Sequence, residues 1–328
     1  MDASAHPGQQ RQIRGAAVDG ACAILTTQIV VQPLRALATD PTTHPRGQHH
    51  LSAASGLVCR NGLAYVIADD EHHLAVFRER QTFGELHRIL PGDLPAQKGT
   101  RKKRKPDFET LFSLPALGAS FPASLIALGS GSRHNRNTGV AIPLGNNGRP
   151  LREIGRFDLT PVYEPLGALL GAINIEGAMI AGGKWILLNR GITGKTDNVV
   201  IRYRLPDLHA VIKGHATVIK PVSIQRFPLP SIGGVSLGFT DGAALPDGRW
   251  LFTAVAENTR DSYADGPCLG SAVGLVSAQG DLLALHRIEP PVKAEGIDAI
   301  VDNLGIAFCL VTDTDDPSQS SWLFQGRI

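Results

Sequence analysis

A short motif, an acidic residue followed by glycine at the head of an apolar run, returns along this chain at near-regular intervals. It stands at Glu176-Gly177 in NIEGAMI, Asp241-Gly242 in FTDGAAL and Glu295-Gly296 in KAEGIDA. Glu109-Thr110 in KPDFETL keeps the acid and loses the glycine; Ser55-Gly56 in SAASGLV does the reverse. The steps are 54, 67, 65 and 54 residues. A period of this length, with several short strands in each unit, is the pattern of a β-propeller.

The segments between motifs fit that plan. From Asn174, NIEGAMIAGG reads as a strand and a Gly-Gly turn, KWILLNRG as a second strand, VVIRYRL as a third and KPVSIQRFPL as a fourth. The runs are short, β-branched or apolar, and bounded by Gly, Pro, Asn and Asp. The last unit, from Glu295, ends one strand short, while residues 24–34 (ILTTQIVVQPL) form a strand without a unit. A propeller closes when one terminal strand completes the other terminal blade and removes an exposed edge. The expectation is an all-β fold: a β-propeller of five four-stranded blades over residues 13–328, closed by the N-terminal strand, behind a disordered tail at 1–12. A sixth blade is the alternative if residues 10–23 or 205–235 hold further strands.

Composition agrees. With 36 Gly and 22 Pro in 328 residues the chain is rich in turn formers and ill suited to long helices. A net charge of +2 gives no general field for nucleic acid, and no run approaches the ~18 apolar residues of a membrane span. The polar N-terminus lacks the uninterrupted apolar stretch of a signal peptide, so the expected location is the cytoplasm. Cys22, Cys59, Cys268 and Cys309 match no zinc pattern and are expected as free thiols. The basic run 98–105 (KGTRKKRK) is expected to be a solvated, mobile loop between blades. GSGSRHNRN at 129–137 is expected at the rim of the site; it leads into a strand, so it lacks the helix of a phosphate loop.

In a four-stranded blade the innermost strand lines the central channel, and the loop between strands two and three opens on the face where that strand begins. The acidic motifs therefore share a face with Asp69-Asp70-Glu71-His72-His73, Ser130 to Asn135, Asn189-Arg190 with Lys195, Glu257-Asn258 with Arg260, and Asp313 to Asp316. Four carboxylates around a narrow channel repel unless a proton, a cation or a basic side chain lies among them. Arg190, Arg133 and Lys293 are the candidate counter-charges. A hard cation such as Ca2+ is the other solution, with Glu109, Glu176, Asp241, Glu295 and Asn189 as ligands. The adjacent pairs His49-His50 and His72-His73 point opposite ways along a strand, so zinc is not expected.

The acidic openings, with LLNRG and LVTDTDDP at strand ends, resemble the phytase-like, or esterase-like, propeller proteins of bacteria. KPDFE and LGSGS resemble the signatures of an uncharacterised bacterial family. More distantly, the acidic mouth is similar to that of the calcium-dependent gluconolactonase and paraoxonase propellers. These resemblances span most of residues 50–328 and imply a propeller with a hydrolase-like site. Ser55 and Thr110 depart from the repeated motif, the lactonase ligand set is not found in order, and those propellers have six blades.

The function expected is hydrolysis of an ester, lactone or phosphoester. Glu176, Glu295 or Asp241 would serve as general base, with Arg190 and His134 among the catalytic groups. Arg133, Arg190, Lys195 and Asn258 would hold a small-molecule substrate. A non-catalytic small-molecule or protein-binding propeller and a metal-free lyase or isomerase are the alternatives, since propellers host many activities.

Overall fold

The computed structural model describes residues 27–116, 121–191, 197–258 and 266–328. Five four-stranded antiparallel sheets stand in a ring, so the fold is a five-bladed β-propeller. Blade 1 runs through Ala54–Arg60, Leu63–Ala68, His73–Arg78 and Glu85–Arg88. Blade 2 holds Phe108–Leu114, Ser124–Gly129, Thr138–Pro143 and Gly155–Asp158. Blade 3 holds Ile175–Ala181, Lys184–Asn189, Asn198–Arg204 and Ser223–Phe227. Blade 4 holds Gly238–Ala244, Trp250–Glu257, Cys268–Val276 and Leu282–Glu289.

Blade 5 is assembled from both parts of the chain. Ala294–Asp302, Gly305–Thr312 and Trp322–Arg327 are completed by Gln32–Ala36, antiparallel to the last of them. The expected closure is present, with one refinement. Only the residues from Gln32 join blade 5; Thr27–Val30 lies parallel to Leu282–Glu289 as a fifth strand of blade 4. Val31 is the pivot between them, buried and hydrogen-bonded through its N–H to the Glu289 carbonyl at 2.8 Å. Pro33 is tolerated because its strand is the outer edge of blade 5, where a ladder donor is dispensable.

Second strands such as Leu63–Ala68 and Ser124–Gly129 are buried at every residue, because each is covered by neighbouring blades on both faces. That is why they read as continuous apolar runs rather than as alternation. Between blades 3 and 4 the core is aromatic: Phe227, Phe239, Trp250 and Phe252 pack with ring centroids 5.1–6.1 Å apart. Polar staples join neighbouring inner strands. The Ser55 hydroxyl donates to the Phe108 carbonyl at 2.5 Å and the Thr240 hydroxyl to the Ala294 carbonyl at 2.8 Å.

Each inner strand slips register at the repeated motif, skipping Ser55, Glu109, Glu176, Thr240 and the Glu295-Gly296 pair. A β-bulge re-aims the extra side chain out of the ladder, and here it turns one residue per blade toward the mouth. Just past the bulge neighbouring inner strands approach closely through their backbones. A Cβ on Gly296 would lie 2.7 Å from the Leu57 nitrogen, and one on Gly177 would lie 3.0 Å from the Asp241 Cα. Neighbouring inner strands are therefore tightly packed just below the motif, and the channel mouth above it, onto which the bulged side chains turn, is termed the cup. Gly296→Ala is expected to cost about 1–3 kcal/mol, the scale of overpacking a filled core; an unchanged urea midpoint would show the strands free to spread.

Among the described residues three α-helices interrupt the strands. Thr160–Leu170 and Leu205–Ile212 insert Val162, Tyr163, Leu166, Leu208 and Val211 into the core shared by blades 2 and 3. Residues 205–235 thus hold a helix, the fourth strand of blade 3 and a two-stranded ribbon, and no sixth blade. The third, Lys98–Arg104, occupies the run expected to be a mobile loop. Arg101 is buried against Asp70 at 2.8 Å, and Lys105 closes the helix on Asp69 and Asp107. The correction has a simple cause: a basic run lying over a strongly acidic mouth is ordered by it. Among the described residues no helix is long and apolar enough to cross a membrane. The expected tail at 1–12, Cys22, Lys195 and Arg260 lie outside the described residues.

Candidate active site

The bulges bring Glu109, Glu176 and Glu295 to the cup, from blades 2, 3 and 5. In blades 1 and 4 the corresponding residues are hydroxyls, Ser55 and Thr240, which are spent on the staples to the next blade. The motif in blade 4 is therefore one residue out of phase with its sequence appearance. Asp241 falls at the level of Gly56, Thr110 and Gly177, below the cup. A one-residue shift in a strand reverses the side on which a side chain lies. Asp241 is fully buried and accepts the Ile297 N–H at 3.0 Å. Burial holds its carboxyl well above the usual range. The structure thus gathers three motif acids at the mouth, not four.

The loops supply the rest. Asp69, Asp107, Glu257 and Asp313 join the three glutamates, and Lys105, Arg136, Arg190 and Lys293 lie among them. Lys105 bridges Asp69 and Asp107, the latter at 2.9 Å, and Arg136 reaches Asp107 at 2.6 Å. Arg190 lies 2.6 Å from Glu257 and 3.8 Å from Glu176. Lys293 meets Asp315 at 2.7 Å, Asp313 at 3.4 Å, Glu295 at 3.6 Å and Glu257 at 3.7 Å. The circuit closes through the mutual repulsion of Asp313 and Asp69. With Asp315 counted as a partner of Lys293, eight carboxylates share four cations among the described residues, a formal excess of four negative charges.

That excess appears in the titration. Burial, together with the charges of Asp107, Glu176 and Asp69, holds Glu109 well above the usual carboxylate range. Burial pushes Glu176 up to about 7 although Arg190 pulls it down, and pushes Asp69 to about 6 and Asp313 to about 7 against the pull of Lys105 and Lys293. Glu295 is also raised well above its ordinary value, by burial first. Burial alone would lower Lys293, but Asp313, Glu295, Glu257 and Asp315 outweigh it and hold the ammonium well above its usual value.

One part of the ring stands out. Carboxylate oxygens of Asp69, Asp107 and Glu109 all lie within 4.8 Å of one another. Among the described residues no hydrogen bond or ion pair reaches the Glu109 carboxylate. An all-oxygen donor set of this kind suits a hard divalent cation, with water or substrate completing its shell. Lys105 lies between two of the three acids and competes for them.

The other residues expected from the sequence fall as follows. Arg190 and Lys293 are in the ring. Asn189 is buried on structural duty: its side-chain oxygen accepts the Asn174 N–H at 2.7 Å. Arg133 and His134 are exposed where a short 3-10 turn begins, and Asn258 is exposed on the rim of blade 4. Three ring members escaped the motif reading: Lys105, Asp107 and Arg136. The available signal was KPD, a lysine and an aspartate just ahead of the blade-2 motif. Asp107 adopts a positive φ of 57°, a conformation aspartate tolerates better than most residues.

The model of a family of unknown function (DUF6929) matches residues 50–328, so the chain belongs to that family. No curated protein matches it. Among solved structures it is similar to the glutaminyl cyclase of Myxococcus xanthus, at 9% identity and a TM-score of 0.48, over 92% of this chain and 99% of that one. It is also similar to a putative glycoside hydrolase from Parabacteroides distasonis, at 9% identity and a TM-score of 0.47, over 90% and 92%. A glucose dehydrogenase gives 11% identity and a TM-score of 0.44, over 90% and 98%. None of these likenesses bears on the chemistry of this chain.

Proposed function

We propose that this member of a family of unknown function is a cation-assisted hydrolase of a small ester, lactone or phosphoester, with the acidic cup as its active site. The observation that carries this reading is the Asp69–Asp107–Glu109 cluster, set in a ring with an excess of negative charge. These three acids would hold a hard divalent cation, Ca2+ by the all-oxygen donor set. When bound, the ion polarises a carbonyl or phosphoryl oxygen. Glu176 takes the proton from water: with a pKa of about 7 it is half-ionised near neutrality and still basic enough to accept. The Asn174 side-chain amide, 2.5 Å from Glu176 Oε1, fixes the carboxylate's orientation. Arg190 keeps Glu176 from being neutral throughout the useful pH range. Arg133 and Asn258 on the rim meet the polar part of the substrate. The resemblance to esterase-like propellers supports the same class of reaction.

A second reading is favoured by Arg190 and Lys293, which already neutralise much of the acid of blades 3–5. The remaining negative charge would then receive the ammonium of a cationic ligand without turnover. One assay separates the two. The full chain is offered a panel of p-nitrophenyl esters, lactones and phosphoesters, with Ca2+ and with chelator. Calcium-dependent turnover and a calcium-dependent rise in Tm are expected. No turnover under either condition, with a thermal shift from amines alone, would replace the hydrolase by the binding module.

A further inference from the structure

On the face opposite the cup, blades 1 and 5 enclose a groove of about 1010 Å3. Its wall carries Cys59, near the foot of the first inner strand, and Cys309, in the second strand of blade 5. Strand register sets Cys309 opposite Asp298, and Asp298 reaches across the seam to accept the Cys59 N–H at 2.6 Å. Paired residues of neighbouring strands lie on the same side of a sheet, so Cys309, like Asp298, faces blade 1. The two thiols are in side-chain contact and belong to one apolar cluster with Leu57, Phe77 and Leu323. Both are only partly buried, because the groove opens on them.

The seam is mechanically special. In blade 5, Trp322–Arg327 pairs with Gln32–Ala36 from far back along the chain, so among the described residues the ring is closed by non-covalent strand pairing. We propose that Cys59 and Cys309 are a peroxide-oxidised thiol pair whose disulfide locks blade 1 to blade 5.

The chemistry balances with hydrogen peroxide as the oxidant. The Cys309 thiolate attacks one peroxide oxygen; the O–O bond breaks, and the departing hydroxide takes a proton to leave as water. Cys309 is then a sulfenic acid. Cys59 sulfur attacks the Cys309 sulfur, the S–O bond breaks, and a second hydroxide leaves with the Cys59 proton as water. Two thiols and one peroxide become one disulfide and two waters. Cys309 is the attacking thiol because it is the less buried of the two and so meets peroxide first. Hydrogen peroxide is small enough to reach sulfur through the groove.

The test is peptide mapping by mass spectrometry without reductant, on the unaltered full chain, after hydrogen peroxide and again after dithiothreitol. A peptide pair joined through Cys59 and Cys309, two hydrogens lighter than its parts and separated again by dithiothreitol, is expected, with a higher Tm for the oxidised protein. Sulfinic or sulfonic acids on the two cysteines without a cross-link, or two thiols still free, would overturn it. In Cys59→Ser the reaction stops at Cys309, and dimedone should label that residue; a label absent from Cys309 would remove it as the attacking thiol.

Discussion

Glu176→Gln lowers turnover by about 10²–10⁴-fold, the contribution of a positioned general base, on whichever substrate of the panel is hydrolysed. The wild-type rate rises with pH through about 7, because only the ionised carboxylate accepts a proton, and levels off above it. The glutamine variant loses that inflection. The substitution keeps the shape of the side chain and removes a group whose ionisation is disfavoured in the fold, so a melting curve at pH 8 no lower than wild type separates lost chemistry from lost structure. A variant within about threefold of wild type in kcat/KM would exclude Glu176 as the base. The neighbouring glutamate would then be next in line: Glu295 shares the cup but lies against Lys293 at 3.6 Å.

Lys293→Met produces the largest loss of stability, about 3–5 kcal/mol at pH 8, the cost of stranding buried charge when one partner of a buried pair is removed. The lysine side chain is only 8% exposed and faces four carboxylates within 4.0 Å. The loss is smaller at pH 5, where protons take the place of the missing ammonium. The wild type has a related dependence. Asp69, Glu176 and Asp313 titrate at about 6, 7 and 7 in the fold, against 3.8, 4.5 and 3.8 for the free groups. Between those values the folded state binds more protons than the unfolded state, so stability is lost as pH rises from about 4 to about 7. Urea midpoints across that range should fall, and a cation held in the cup should restore part of the loss at pH 8. Flat midpoints would mean that the ring is relieved by solvent rather than strained by its own charge.

Much of the architecture could be read along the chain because each blade repeats local instructions: turn residues, short apolar strands and a motif at the head of each inner strand. The closing strand could be read because a three-stranded remainder and an orphan strand are complementary. The helix at Lys98–Arg104 could not, since what orders it is Asp69, Asp70 and Asp107 on the neighbouring blades. Nor could the true place of Asp241. Its tripeptide looks like the others, but the bulge in blade 4 falls on Thr240, and bulge position depends on which strand the backbone pairs with. Arg136 stands three residues beyond Arg133, and only the packing of the short turn decides that the first is buried against Asp107 and the second exposed.

By itself, then, the amino-acid order pointed to a propeller of five blades with a sixth left open, the face on which charge collects and the need for a counter-charge among the acids. These follow from strand periodicity and Coulomb repulsion, which act through neighbours in sequence and through the symmetry of a repeat. The tertiary structure alone decided which acids meet, that three glutamates and five further carboxylates share four cations among the described residues, and that oxygens of Asp69, Asp107 and Glu109 come within 4.8 Å of one another. It did so because a one-residue bulge and a docked helix fix side-chain direction through contacts between segments far apart in the chain.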